Sequence, residues 1–203
     1  MNKLSSTAKK LDTFFKVFNI FLKIGIVCCL VGICIIAAGF LFDLDPYTIG
    51  TGYNSVSIGN LDLELAQAYA PDEGLVLILL AVELIIGLVC LLVTLPCIAC
   101  VREILHPMIN GEPFHSTISA NLKKLAKYSL VLCVLTNLAQ VLTNSLLAMN
   151  IGLEELLISE KVTHVTISTE IDLTFLLVAA VLLLLSYIFR YGEELQQLSD
   201  ETL

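Results

Sequence analysis

The sequence predicts an all-α membrane protein. Four transmembrane helices form two hairpins, and the two outward loops fold into one small antiparallel β-sheet. Three observations lead there. Of the 203 residues, 57% are hydrophobic and only 15% are charged. Soluble domains carry roughly 45–50% and about 25%, so an ordinary soluble enzyme is the wrong class. Four long apolar runs, 20–42, 75–101, 128–149 and 173–191, each approach or exceed the roughly 20 residues that cross a hydrocarbon core of about 30 Å. They are continuous, as helices are, and lack the alternation of barrel strands. The charges are also segregated. Lys3, Lys9, Lys10, Lys16, Lys23, Arg102, Lys123, Lys124, Lys127 and Arg190 flank one side of the runs, and of the 11 basic residues only Lys161 falls on the other. The segments 43–74 and 150–172 are acidic, with Asp43, Asp45, Asp62, Glu64, Glu154, Glu155 and Glu160 among others. Basic segments stay in the cytoplasm. Both termini and the 102–127 loop are therefore expected inside, in a single membrane domain.

The chain opens with residues 1–19, where Leu4, Ala8, Leu11, Phe15 and Phe18 recur at helical spacing between lysines. This predicts an amphipathic helix lying at the inner membrane interface. The apolar run that follows exceeds the 7–15 residues of a signal peptide, so an uncleaved first span is expected. In the first outward loop, Ser55-Val56-Ser57-Ile58 and Leu61-Asp62-Leu63-Glu64-Leu65 read as strands around Gly59-Asn60. The second holds another strand-like run, 162–168. Three strands sharing an apolar face are more stable than a lone hairpin, hence the predicted sheet joining both loops. Pro107 is expected to end or kink the second helix, Asn110-Gly111 to turn the chain, and Ser116 or Ser119 to cap the third helix. The tail, 192–203, continues the fourth span as a short helix.

All seven cysteines lie in the apolar runs, so no outward disulfide framework exists. Cys97-Ile98-Ala99-Cys100 is a lone C-x-x-C at the end of a span and reads as apolar packing rather than redox or metal chemistry. His106, His115 and His164 are spread over different loops. No nucleophile elbow, P-loop or zincin pattern is present. Neither an enzymatic activity nor a cofactor is expected.

One polar constellation stands inside the runs. Glu83 is embedded in the second, and an ionisable residue there is a candidate site by default. Asn137, Gln140 and Asn144 fall at i, i+3 and i+7 on the third run, a single helical face. The expectation is that Glu83 hydrogen-bonds to Gln140 or Asn144. Such contacts are worth about 0.6–2 kcal/mol as interhelical glue. They would otherwise line a ligand or ion path.

Two segments carry a resemblance. Asn110-Gly111-Glu112-Pro113-Phe114-His115-Ser116, followed by Asn121-Leu122-Lys123-Lys124-Leu125, lies in the inner loop, and Ile188-Phe189-Arg190-Tyr191-Gly192-Glu193-Glu194-Leu195-Gln196-Gln197-Leu198-Ser199-Asp200-Glu201-Thr202-Leu203 ends the sequence. They resemble the inner-loop and terminal patterns of bacterial four-helix membrane proteins grouped as domain of unknown function 2975. That resemblance implies a bacterial cytoplasmic-membrane protein that signals with a small helix-turn-helix DNA-binding regulator. Gly111, Pro113, Phe114, Gly192, Leu195, Gln196, Asp200 and Glu201 are then the expected docking residues. The protein itself would touch membrane lipid and its partner, with no direct contact to nucleic acid. The alternative expectation is a small transporter or channel component, built as a homo-oligomer around the Glu83 face. A third, an outward interaction module, rests on the predicted sheet.

Overall fold

The computed structural model of the chain describes residues 3–42, 55–58, 61–64, 73–112, 114–151 and 171–201. Four long helices dominate them: α1 (Lys3–Phe42), α2 (Glu73–Asn110), α3 (Ser116–Ile151) and α4 (Thr174–Glu201). Within them, Ser5–Gly39, Leu77–Asn110, Ser116–Leu146 and Thr174–Ser199 are long and apolar enough to cross a membrane. Large apolar side chains along all four, among them Phe21, Ile85, Leu138 and Leu177, are exposed. Such surfaces suit lipid, where a bare leucine costs nothing, and the chain is a multi-pass membrane protein.

Three expectations need correction. The first is the outward sheet. The fold is all-helical in its long elements, and no sheet joins the two loops among the described residues. The β-structure there is one two-stranded hairpin, β1 (Ser55–Ile58) against β2 (Leu61–Glu64), with Ser55 opposite Glu64 and Ile58 opposite Leu61. It closes locally over a two-residue connection, which costs far less loop entropy than recruiting a strand about a hundred residues away. The strand expected at 162–168 lies outside the described residues.

The second concerns the N-terminal segment. Residues 3–19 are not a helix separate from the first span; α1 runs unbroken for 40 residues, about 60 Å at 1.5 Å per residue. No proline or glycine interrupts it before Gly25, so nothing in its sequence turns the corner that an interfacial helix needs.

The third concerns the end of α2. The helix passes through both Pro96 and Pro107 and stops at Asn110. Gly111 ends it, with φ at 90°. Its N–H bonds Met108 O at 3.4 Å and the Glu112 N–H bonds Pro107 O at 3.0 Å, the paired closure of a Schellman motif. Only glycine holds that backbone without strain. Gly111→Ala is expected to destabilise the fold by about 1 kcal/mol, read as a lower midpoint in thermal unfolding in detergent.

By contact density the chain divides into two units. One comprises Met1–Val27, Val89–Leu135 and Asp172–Leu203; the other comprises Cys28–Leu88 and Thr136–Ile171. In the first, Ala8, Ile98, Leu105, Ile118, Leu122, Ala126 and Ala179 are buried, and the Leu91 side chain lies 3.5 Å from the position of a Cβ on Gly25. In the second, Leu84 of α2 lies 3.0 Å from the corresponding point on Gly32 of α1. Glycine on a membrane helix admits a neighbouring helix this closely because it presents no side chain.

The start of α4 is fixed by Asp172. Its Oδ1 accepts the Thr174 N–H at 2.8 Å, satisfying one of the free donors of the first turn. The hydrogen bonds from Thr174, side chain first and backbone second, hold the Asp172 carboxyl below its ordinary value of 3.8. A lowered folded value stabilises fully above the unfolded one and is lost as pH falls through the folded one. The stability difference between the protein and Asp172→Ala should therefore be constant from pH 7 to about 5 and shrink below pH 4, as measured by unfolding in detergent.

Candidate partner-docking site

The five residues 111–115 connect α2 to α3 tightly, and both helix ends are closed. His115 caps α3: its Nδ1 accepts the Thr117 N–H at 3.3 Å and stands 2.9 Å from Thr117 Oγ1. The expected serine caps are not used. Ser116 is already the first helical residue, and the Ser119 hydroxyl donates back to Ser116 O at 3.2 Å. An imidazole with a free ring nitrogen serves as the side-chain acceptor that serine usually supplies.

Around this turn the first unit is laced together by polar contacts from every helix. Ser186 of α4 is fully buried and donates to Ser119 O of α3 at 2.8 Å. Ser5 of α1 donates to Ile109 O of α2 at 2.9 Å. Asp12 of α1 accepts from Arg102 Nε at 2.9 Å and from Lys16 Nζ at 2.8 Å. The buried Ser186 contact gains from its apolar surroundings, whereas the exposed Lys16–Asp12 pair counts as a surface pair of small worth. Sequence reasoning singles out none of Ser5, Asp12, Ser119 with Ser186, or Tyr187. Two signals could have found them. Asp12 is the only acid among the first 42 residues, and Ser186 is a lone hydroxyl after four consecutive leucines.

The two motif segments meet here. The Phe114 ring of the inner connection packs on Gly192 of α4 so closely that a Cβ at Gly192 would lie 2.6 Å from Phe114 Cδ1 and Cε1. Phe114 also faces Phe189, with ring centroids 6.1 Å apart. Lys123 Nζ sits 5.4 Å from the centre of the Tyr187 ring, within cation–π range. The tail therefore packs against the connection through aromatic contacts rather than through its acids. Among the described residues Glu194 pairs with Arg190 of its own helix, at 3.2 Å.

Beyond the contact, α4 leaves a stripe uncovered. Tyr191, Leu195 and Leu198 are 64%, 50% and 59% exposed, and their spacing puts them on one face. Gln196, Glu194 and Glu201 beside them are exposed too. Of the other expected docking residues, Gly111 sets the turn, Pro113 lies outside the described residues, and Asp200 falls in the last turn of α4.

The intramembrane constellation is not assembled as expected. Glu83 and Gln140 are both exposed, Asn137 and Asn144 are half-buried, and among the described residues Glu83 makes no hydrogen bond to Gln140 or Asn144. On the same helix Leu84, next to Glu83, packs on Gly32 of α1. Nor do the cysteines form a centre. Cys97 Sγ donates to Val93 O of its own helix at 3.3 Å, and no group of three metal-ligating side chains occurs among the described residues.

No protein-family model, no curated protein and no solved structure matches this chain.

Proposed function

We propose that this is a non-enzymatic protein of the bacterial cytoplasmic membrane, with both termini inside, that regulates through a cytoplasmic protein partner. The observation that carries this reading is the packing of Phe114 on Gly192. The two segments whose sequence resembles the bacterial four-helix family form one surface, and that surface presents Tyr191, Leu195 and Leu198 uncovered. α4 has 28 residues, about 42 Å, so a core of about 30 Å leaves its last two turns clear of lipid. An apolar stripe beside Glu194 and Glu201 suits a partner with an apolar patch edged by lysine and arginine. A small helix-turn-helix regulator has such basic surface, and the resemblance points to the same class.

The test is affinity purification from native membranes with the full chain and with a chain ending at Tyr191. The regulator should be recovered with the first and lost with the second, while both unfold at similar temperatures. Equal recovery from both would defeat the reading.

A second reading draws on the exposed Glu83. A carboxylate on an otherwise apolar helix face is costly against lipid, and a second copy of the chain would shield it. The protein would then be a transporter or channel component working as a homo-oligomer. Ion flux into vesicles that is abolished by Glu83→Gln would favour it, and flux unaffected by that change would remove it.

A further inference from the structure

We propose that a cleft beside the α2–α3 turn binds an organic cation, a group of the ammonium or guanidinium class. The cleft has a volume of about 360 Å³, within the range of small-ligand pockets. It lies wholly between the last turns of α2 and the first of α3. Its walls carry two carboxylates, Glu103 and Glu112, two imidazoles, His106 and His115, and two amides, Asn110 and Asn121. Among the described residues no lysine or arginine lines it.

Three observations select the ligand chemistry. Asn121 is only 4% exposed, yet its Oδ1 accepts no hydrogen bond. Buried amide oxygens are almost always satisfied, and one that is not calls for an explanation. A missing donor supplied by a ligand gives one. The second observation is the sign of the charge. His115 accepts a backbone N–H at Nδ1, so the neutral ring carries its proton on Nε2. The cleft carries two carboxylates and no lysine or arginine among the described residues, which disfavours anions. The third observation separates organic cations from metals. Among the described residues no three side chains are placed to hold a metal ion. The acceptors are instead spread over a cleft of ligand size, as suits a group with three donors, or five in a planar fork. The cleft shares Asn110, Glu112 and His115 with the inner connection, but this inference does not need the α4 stripe, since none of the cleft residues belongs to α4.

The experiment is calorimetric titration of the full chain in detergent. One arm uses agmatine, a free small amine with a guanidinium; the other uses an end-blocked tetrapeptide with a single arginine. Saturable millimolar or tighter binding of agmatine identifies a free metabolite as the source. Binding of the peptide alone identifies a side chain of another protein. Glu103→Gln and Glu112→Gln should each weaken binding about 10-fold, the usual loss for a hydrogen bond to a charged group. Glu194→Gln, outside the cleft, should leave it unchanged. Asn121→Leu removes the orphan oxygen at similar volume. It should raise the unfolding temperature of the free protein and weaken binding, whereas a merely structural asparagine would change stability alone. The proposal is overturned by no saturation in either arm, by binding that ignores both glutamates, or by zinc or manganese binding that displaces agmatine.

Discussion

Gly192→Leu is expected to pull the C-terminal part of α4 away from the α2–α3 connection. The ring carbons of Phe114 occupy the space a side chain at 192 would need, at 2.6 Å from its Cβ. Overpacking of this kind costs about 1–3 kcal/mol. Phe114 is 42% exposed, so the ring will swing outward rather than compress. The chain contains no tryptophan, which makes the test direct. Phe114→Trp gives a single emitter in the contact, and adding Gly192→Leu should move its emission to the red and increase quenching by a soluble quencher. Gly192→Ala should do the same to a smaller degree. Capture of a cytoplasmic partner should fall in parallel if the two segments are recognised together. Emission unchanged by Gly192→Leu would mean that the contact does not hold the tail.

Gly32→Val should be the most damaging single change within the second unit. A Cβ at Gly32 would stand 3.0 Å from Leu84 Cδ1, already tighter than ordinary van der Waals contact, and valine adds two methyls in a stiff rotamer. A loss of about 1–3 kcal/mol is expected, measured as unfolding in mixed micelles. Gly25→Ala is the control. Its added Cβ would meet Leu91 at 3.5 Å, an ordinary contact, and alanine favours the helix, so stability should hold or rise. Leu84→Ala combined with Gly32→Val should recover part of the loss. Two residues in contact fail additivity in this way, and distant ones do not. Strict additivity would show that the two side chains do not meet.

The four spans are legible in the sequence alone, because lipid demands length and apolarity and both are written locally in the chain. The turn at Gly111 and the tail helix are legible for the same reason. What escapes is which helix faces meet. Spacing puts Asn137, Gln140 and Asn144 on one face but does not say what that face meets, and among the described residues Glu83 makes no hydrogen bond to Gln140 or Asn144. The sheet fails differently. Alternation marks strand-forming residues but does not say which strands find each other, and the pairing described is between neighbours in sequence. At the candidate site Phe114 and Gly192 follow from their motifs. Asn121 and His115 lie in the motifs too, but the orphaned oxygen of the one and the capping role of the other do not follow from them, since both are properties of neighbours. Ser186 against Ser119 and Asp12 against Arg102 lie 67 and 90 residues apart, beyond any local pattern.

The closed turn between α2 and α3 has a consequence for assembly order. Five residues join two helices whose ends are already satisfied by Gly111 and His115, so this pair can form as soon as both are synthesised, with little entropy lost in closing the loop. α4 is made last, and its contacts with Ser119 and Phe114 must form on a finished hairpin. Most of the side chains from Tyr187 to Glu201 are exposed, and such segments open at low cost. In hydrogen exchange, the amides from Phe189 to Glu201 should exchange well ahead of those flanking the turn. The surface proposed for the partner is thus the one that the protein can release without unfolding.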